Sequence, residues 1–276
     1  MRKFRPTSAA PSVLAMSLLW TAACGTLRPA PQQPAQESHD YHSAKPTFAY
    51  TGDRGPGFWG TLERDWRACS EDTRQSPIDL DGFVPDPALG PLDLATRETG
   101  LDMVNKGYTL EQAYVGGGTL RFEGTAYTLQ QFHFHTLSEH AVEGGLGEME
   151  LHAVFSNAET KTNAVIGVIY RLGAENPFLA KFDRRLPKAA GEVAKDPAVR
   201  FDLREAFPDT EAYLTYPGSL TTPPCSPTVT WIVLRQESEL SESQLQAFRD
   251  IMGNNFRPLQ ERGRRTIRTS SPPPAP

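Results

Sequence analysis

Histidine is the side chain best suited both to hold a transition metal and to move protons near neutral pH, and the chain has six of them. Four, namely His133, His135, His140 and His152, crowd into one segment. His133 and His135 are separated by one residue in Gln131-Phe132-His133-Phe134-His135. On a β-strand that spacing turns both imidazoles to one face and both phenylalanines to the other. A second run, Glu148-Met149-Glu150-Leu151-His152-Ala153-Val154, places His152 beside them if the two strands are neighbours. Three neutral nitrogens and an open fourth position for water make a catalytic zinc site rather than a closed structural one. The same alternation puts Gln131 and Glu150 on the metal face, each two residues before a ligand, where they would accept the second N–H of an imidazole and fix its tautomer. His140 has no place in this geometry and is read as structural. The chain has no His-Glu-x-x-His helix and no Ser or Cys in a recognisable nucleophile motif, so protease and covalent hydrolase chemistry lack support.

Strands must position these residues. Short runs rich in Val, Ile, Thr, Tyr and Phe, broken by Gly, Pro, Asn and Asp, recur at Leu101–Val104, Thr119–Phe122, Tyr127–Phe134, Met149–Phe155, Ala164–Tyr170 and Thr228–Leu234. Helical patterning is confined to Asn176–Phe182 and Ser241–Phe248, the latter opening on Ser241 with Gln244 three residues on. No internal repeat or heptad run is present, and a mainly β single domain follows.

The ends have another character. Arg2, Lys3 and Arg5 precede an apolar run from about Ser12 to Ala23 that is too short to span a bilayer and has the layout of an export signal, residues 1–23. Thr21-Ala22-Ala23-Cys24-Gly25 resembles the bacterial lipoprotein box, with Thr21 where that box usually has Leu, so Cys24 is expected to be the lipidated first residue of the mature chain; the alternative is ordinary cleavage with Cys24 incidental. Residues 24–46 are rich in Pro, Gln, Ala and Ser and read as a disordered linker, 269–276 as a Pro-rich tail, and 47–268 as the folded domain. His39 and His42 lie in the linker and read as solvated. With Cys24 lipidated, Cys69 and Cys225 remain as a pair: an oxidising compartment would bridge them, closing a loop long enough to contribute about 5 kcal/mol, and a reducing one would leave two buried thiols. The formal charge of -5 is mild and the basic residues are scattered, which argues against nucleic acid as a partner.

Several segments together resemble the alpha-type carbonic anhydrases: Gln131 to His135, Ser138-Glu139-His140, Glu150-Leu151-His152, Gly218-Ser219-Leu220-Thr221-Thr222-Pro223-Pro224, Thr230-Trp231-Ile232-Val233-Leu234, Gln75-Ser76-Pro77-Ile78 and Asn254-Asn255-Phe256-Arg257-Pro258. They run from about Trp59 to Arg268 in the family's order. The resemblance implies a central, mostly antiparallel twisted sheet of about ten strands with short peripheral helices, and a conical cavity with Zn2+ at its floor. It makes His133, His135 and His152 the ligands, with Gln131, Glu150 and Asn255 supporting them. Thr221 would accept a hydrogen bond from zinc-bound hydroxide and pass one to Glu139, and Thr222 would line the bicarbonate site. Val154, Val165, Leu220, Val229 and Trp231 would form the apolar wall for carbon dioxide. Cys69 with Cys225 resembles the disulfide of exported members, and Tyr108 stands where fast members carry a proton-shuttling histidine. The implied activity is reversible hydration of carbon dioxide to bicarbonate and a proton; the export signal and lipoprotein-like box separately lead to the expectation of a protein of the periplasm, outer membrane or cell surface, attached to the membrane where Cys24 is lipidated. A relative that had kept the fold and lost turnover would be expected to lack a ligand histidine, and none is lacking; a zinc esterase would use the same hydroxide.

Overall fold

The computed structural model describes residues 47–115 and 117–270. The export signal, Cys24, His39 and His42 lie outside the described residues. Thirteen strands form the main sheet: β1 Val84–Pro85, β2 Asp93–Thr96, β3 Thr99–Asn105, β4 Leu110–Ala113, β5 Gly118–Phe122, β6 Thr125–Thr136, β7 Met149–Asn157, β8 Thr162–Leu172, β9 Val193–Phe201, β10 Tyr213–Gly218, β11 Val229–Leu234, β12 Ser238–Leu240 and β13 Arg268–Thr269. Ten of them form one path in the order β9-β3-β4-β6-β7-β8-β11-β10-β13-β1, with β5 pairing β6, β2 pairing β5, and β12 pairing β8. Within this sheet all ladders are antiparallel except β8–β11, β8–β12 and β13–β1. The expected mostly antiparallel sheet is therefore present.

The long central strands form because their residues alternate as a two-faced strand must. In β6, Phe132 and Phe134 are fully buried on one face. They pack into an aromatic cluster with Phe178, Phe182, Phe201 and Phe248, ring centroids 4.7 Å apart for Phe134 and Phe248. Burying each such ring contributes about 1.5–3 kcal/mol, which anchors the half of β6 that carries His133 and His135. Phe248 comes from the helix Glu242–Met252, where the predicted capping box is formed: Ser241 Oγ accepts from Gln244 N at 3.3 Å and Gln244 Oε1 accepts from Ser241 N at 3.2 Å. The helix ends at Gly253, whose φ of 61° a side chain would strain.

Two expectations need correction. Asn176–Phe182 is no α-helix but a pair of tight turns with a 3-10 segment at Leu179–Lys181. Asn176 Oδ1 accepts from the N–H of Phe178 and of Leu179, a local side-chain cap that favours a turn over propagation. The tail was placed from residue 269, yet Thr269 pairs with Leu214 and Ser270 N donates to Tyr213 O, so both belong to the sheet.

An N-terminal layer of short helices, Trp59–Leu62 and Ala68–Glu71, is fixed by two devices. Trp59 is fully buried beside Phe48, centroids 5.3 Å apart, and its Nε1 donates to Ala49 O at 2.9 Å. Cys69 is disulfide-bonded to Cys225, 156 positions away. That bridge ties the layer to the loop 219–228 between β10 and β11, which carries Thr221 and Thr222.

Candidate metal centre

In the β6–β7 register His152 lies opposite His133, and Glu150 opposite His135. With β6 alternating, three imidazoles converge: ring centroids are 5.1 Å apart for His133 and His135, 5.3 Å for His133 and His152, and 4.6 Å for His135 and His152. One nitrogen of each lies within 4.8 Å of the other two. Tetrahedral zinc needs ligand nitrogens about 3.3 Å apart, given Zn–N bonds of about 2.0–2.1 Å, so small rotations of the rings suffice.

Each ring is oriented by an acceptor on its far side. His133 Nδ1 lies 2.9 Å from Gln131 Oε1, His135 Nδ1 2.8 Å from the carbonyl of Asn255, and His152 Nε2 2.9 Å from Glu150 Oε1. These oxygens only accept, so those ring nitrogens carry the protons. The bare nitrogens are then His133 Nε2, His135 Nε2 and His152 Nδ1. Gln131, Asn255 and Glu150 thus each meet one of the three imidazoles, Asn255 through its backbone carbonyl while its side chain accepts from Thr136 N at 2.8 Å.

The site has the mark of a place built for a cation. His135 Nε2 and Glu139 Oε2 are buried without hydrogen-bond partners, and they face each other at 3.5 Å. Glu139 Oε2 is also 3.9 Å from His152 Nδ1. Acceptors gathered without a donor are costly in a dry interior, and a divalent cation relieves that cost, so this donor set fits zinc. Burial first, then the nearby His135 and His152, holds His133 well below the ordinary histidine range; burial likewise lowers His135. Both are neutral, ligand-ready imidazoles at pH 7.

Glu150 is the hub behind His152. Burial acts to raise its pKa, but the charges and hydrogen bonds of His140 and His152 outweigh that and hold it well below the usual range. Oε1 meets His152 Nε2 and also His140 Nδ1 at 2.8 Å, while Oε2 accepts from the N–H of Glu139 at 2.8 Å and of His140 at 2.9 Å. His140, read from the sequence as structural, is a buried member of the network behind Glu150, its Nε2 2.7 Å from the Tyr216 hydroxyl, which donates to Ser76 Oγ at 2.9 Å. It escaped the strand argument because it sits in the loop after β6, where alternation gives no direction.

The remaining predicted residues divide. Val165, Val229 and Trp231 form one apolar cluster with Val154 and Leu220 packed on it, and the Trp231 ring is 4.7 Å from His152. Thr221 is buried and Thr222 half-buried on the adjoining loop. The expected bond from Thr221 to Glu139 is not made: Glu139 Oε1 accepts from Arg257 N at 2.8 Å and Oε2 has no partner. The free oxygen faces the bare imidazole nitrogens instead. Tyr108 is not turned into open solvent; it packs on Phe48 at 4.9 Å, and burial, with Glu111 adding to it, pushes its hydroxyl up to about 12. Gln75, Ser76 and Arg257 have a part that strand alternation does not reveal. Arg257 Nη1 donates to Gln75 Oε1 and to the carbonyl of Ser76, both at 2.8 Å, and Nη2 donates to Cys69 O at 2.9 Å, fixing the backbone that holds Glu139.

A family model for eukaryotic-type carbonic anhydrase matches residues 54–271. Carbonic anhydrase of Klebsiella pneumoniae is 37% identical over 223 residues, covering 80% of this chain and 89% of that one. Carbonic anhydrase of Neisseria gonorrhoeae is 34% identical over 228 residues, covering 82% and 89%. Among solved structures, the alpha-carbonic anhydrase from Thermovibrio ammonificans in complex with the inhibitor sulfanilamide superimposes with a TM-score of 0.76 at 35% identity, covering 80% of this chain and 98% of that one.

Proposed function

The chain belongs to the alpha, eukaryotic-type carbonic anhydrase family, and from that premise we propose that it hydrates carbon dioxide reversibly at zinc held by His133 Nε2, His135 Nε2 and His152 Nδ1. The observation that carries the reading is the convergence of three bare imidazole nitrogens with an unpartnered buried carboxylate oxygen. Zinc in a three-histidine site supplies Lewis acidity that lowers the pKa of a bound water to about 7, a value for which carbonic anhydrase is itself the type case.

The chain's own residues do the rest. Val154, Val165, Leu220, Val229 and Trp231 offer a nonpolar substrate an apolar surface next to His152. Glu139, locked by Arg257 N, can only accept through its free oxygen. A threonine hydroxyl has one proton to give; Thr221 makes no bond to Glu139 in this structure, and on turning its proton to the free Oε2 it would be left to accept from the attacking water, aiming that water's lone pair at the substrate. Thr222, on the same loop, is assigned to the bicarbonate product.

Carbon dioxide hydration measured before and after stripping with a chelator tests this. Activity should vanish with the metal and return as zinc is added to one equivalent; turnover persisting in metal-free protein would overturn the reading. Thr221→Ala should keep its zinc and lose about 10- to 100-fold in turnover, the worth of a hydrogen bond to a charged group, whereas zinc loss would contradict the orienting role. The buried disulfide supports the reading of an exported protein. On that reading, mass spectrometry of protein from its native host should find a diacylated Cys24 at the mature terminus; a mature chain starting elsewhere would remove the lipid anchor.

A further inference from the structure

A buried carboxylate in the middle of a sheet needs room, and one residue provides it. On β8, Gly167 pairs directly with His152. Its backbone is not in the left-handed region, so conformational freedom does not require a glycine there. What a side chain would meet is Glu150: a Cβ on Gly167 would stand 2.9 Å from Glu150 Oε1 and 3.4 Å from a methyl of Val233. Glu150 cannot swing aside cheaply, because it is fully buried and its two oxygens are held by His152, His140 and two backbone N–H groups.

We propose that Gly167 is a positioning residue for the metal ligand His152: its missing side chain is the space in which the Glu150 carboxylate reaches His152 Nε2. Any Cβ at this position pushes Oε1 away from the imidazole, and the ring loses the bond that fixes both its tautomer and its angle. Neighbouring β8 residues behave differently. Val165, two positions before, lies on the same face and carries a full side chain, because opposite it stands Val154, with no carboxylate to accommodate.

The inference rests on the reading of His152 as a ligand, and the test separates the two. Zinc affinity is measured by competition with a chelator for the unaltered protein, Gly167→Ala, Glu150→Ala and the double variant. Gly167→Ala should bind zinc about 10- to 100-fold more weakly, the usual cost of losing a support behind a metal ligand. In metal-free Gly167→Ala, the hydrogen-bonded N–H proton of His152 should leave its downfield NMR position, a signature independent of turnover. Backbone preference does not oppose alanine in a strand, so the loss would report the contact. In the Glu150→Ala background the clash is gone, and Gly167→Ala should change affinity less than about twofold further. Gly100→Ala is the control: its Cβ would stand 3.0 Å from the Pro197 backbone, far from the site in sequence and register, so it should lower the melting temperature and leave zinc affinity alone. If Gly167→Ala does not accumulate as folded protein, the double variant should, since it lacks the obstructing oxygen. Unaltered affinity in Gly167→Ala, full additivity with Glu150→Ala, or a double variant that also fails to fold would each overturn the proposal. Failure of the unaltered protein to bind zinc would instead overturn the ligand reading beneath it.

Discussion

The two faces of the Thr125–Thr136 strand come from alternate residues of one segment and are held by different physics. On one, Phe132 and Phe134 sit edge to face at 5.7 Å within a cluster of rings. Their contribution scales with buried area and depends little on direction. On the other, His133 and His135 each rest on a single acceptor, at 2.9 Å and 2.8 Å. The first face decides whether the strand folds into the sheet, and it would tolerate another apolar residue of similar volume. The second decides whether the site works, and it tolerates almost nothing, since each support has one geometry and no substitute.

The sharpest way to break this contrast is to remove a ligand. His152→Ala should lose its zinc and all measurable hydration while keeping its far-ultraviolet circular dichroism, because a two-histidine site lacks both affinity and geometry. Retained zinc and activity would sink the assignment. The mirror experiment is Phe134→Ala on the other face, which should cost about 3–5 kcal/mol in urea unfolding and leave the zinc stoichiometry of the folded fraction unchanged. A stability loss under about 1 kcal/mol, or zinc lost from folded protein, would show that the two faces are not separable.

A smaller effect follows from titration. His133 and His135 are held below the ordinary histidine pKa by burial, so between about pH 6.5 and their folded values the unfolded chain binds more protons than the folded one. Stability is therefore complete above about pH 6.5 and falls with acid, by roughly 1.4 kcal/mol per pH unit for each histidine. Glu150, lowered relative to the unfolded chain, adds its own loss only below the ordinary carboxylate range. Unfolding of metal-free protein by urea from pH 7.5 to 5 should show the slope beginning near 6.5. A flat profile would mean that the folded site accepts protons as readily as the unfolded chain.

Much of the metal face was legible because strand alternation is a local rule. Once Gln131 to His135 and Glu150 to His152 were read as strands, faces and supports followed, and the register placed His152 opposite His133. What was not legible depended on partners distant in sequence. His140 acquires its role only where Tyr216 reaches it, and Gly167 only where Glu150 fills the space above it. Strand β9 escaped because it lies at the sheet edge, is largely exposed and contains Pro197, around which its register with β3 shifts. An edge strand needs partners on one side only, so it can carry residues that a central strand could not. Asn176–Phe182 misled because its apolar spacing, which buries Phe178, Leu179 and Phe182, suits a capped turn as well as a helix.

The smallest expected effect concerns the way out of the histidine face. A group that relays protons from the site should titrate near 7, matched to its donor. Tyr108 stands at the position where a relay would be expected, but burial against the Phe48 ring, with Glu111 adding to it, sets its hydroxyl at about 12. At pH 7 its hydroxyl stays protonated and offers no base to take a proton from the site and hand it on, so it serves as packing in the aromatic layer with Trp59 and Trp66. Proton export should then fall to the buffer. Turnover should rise with imidazole-type buffer concentration, and Tyr108→His should raise it about tenfold in weak buffer, below the roughly 10²–10⁴-fold of a fully positioned base because the buffer already carries part of the flux, while kcat/KM for carbon dioxide stays constant because attack precedes export. The substitution also removes part of the ring contact with Phe48, so a loss of about 1 kcal/mol in stability should accompany the gain. Turnover of the unaltered protein that is independent of buffer concentration would show that another group already carries the proton, and would leave Tyr108 as packing alone.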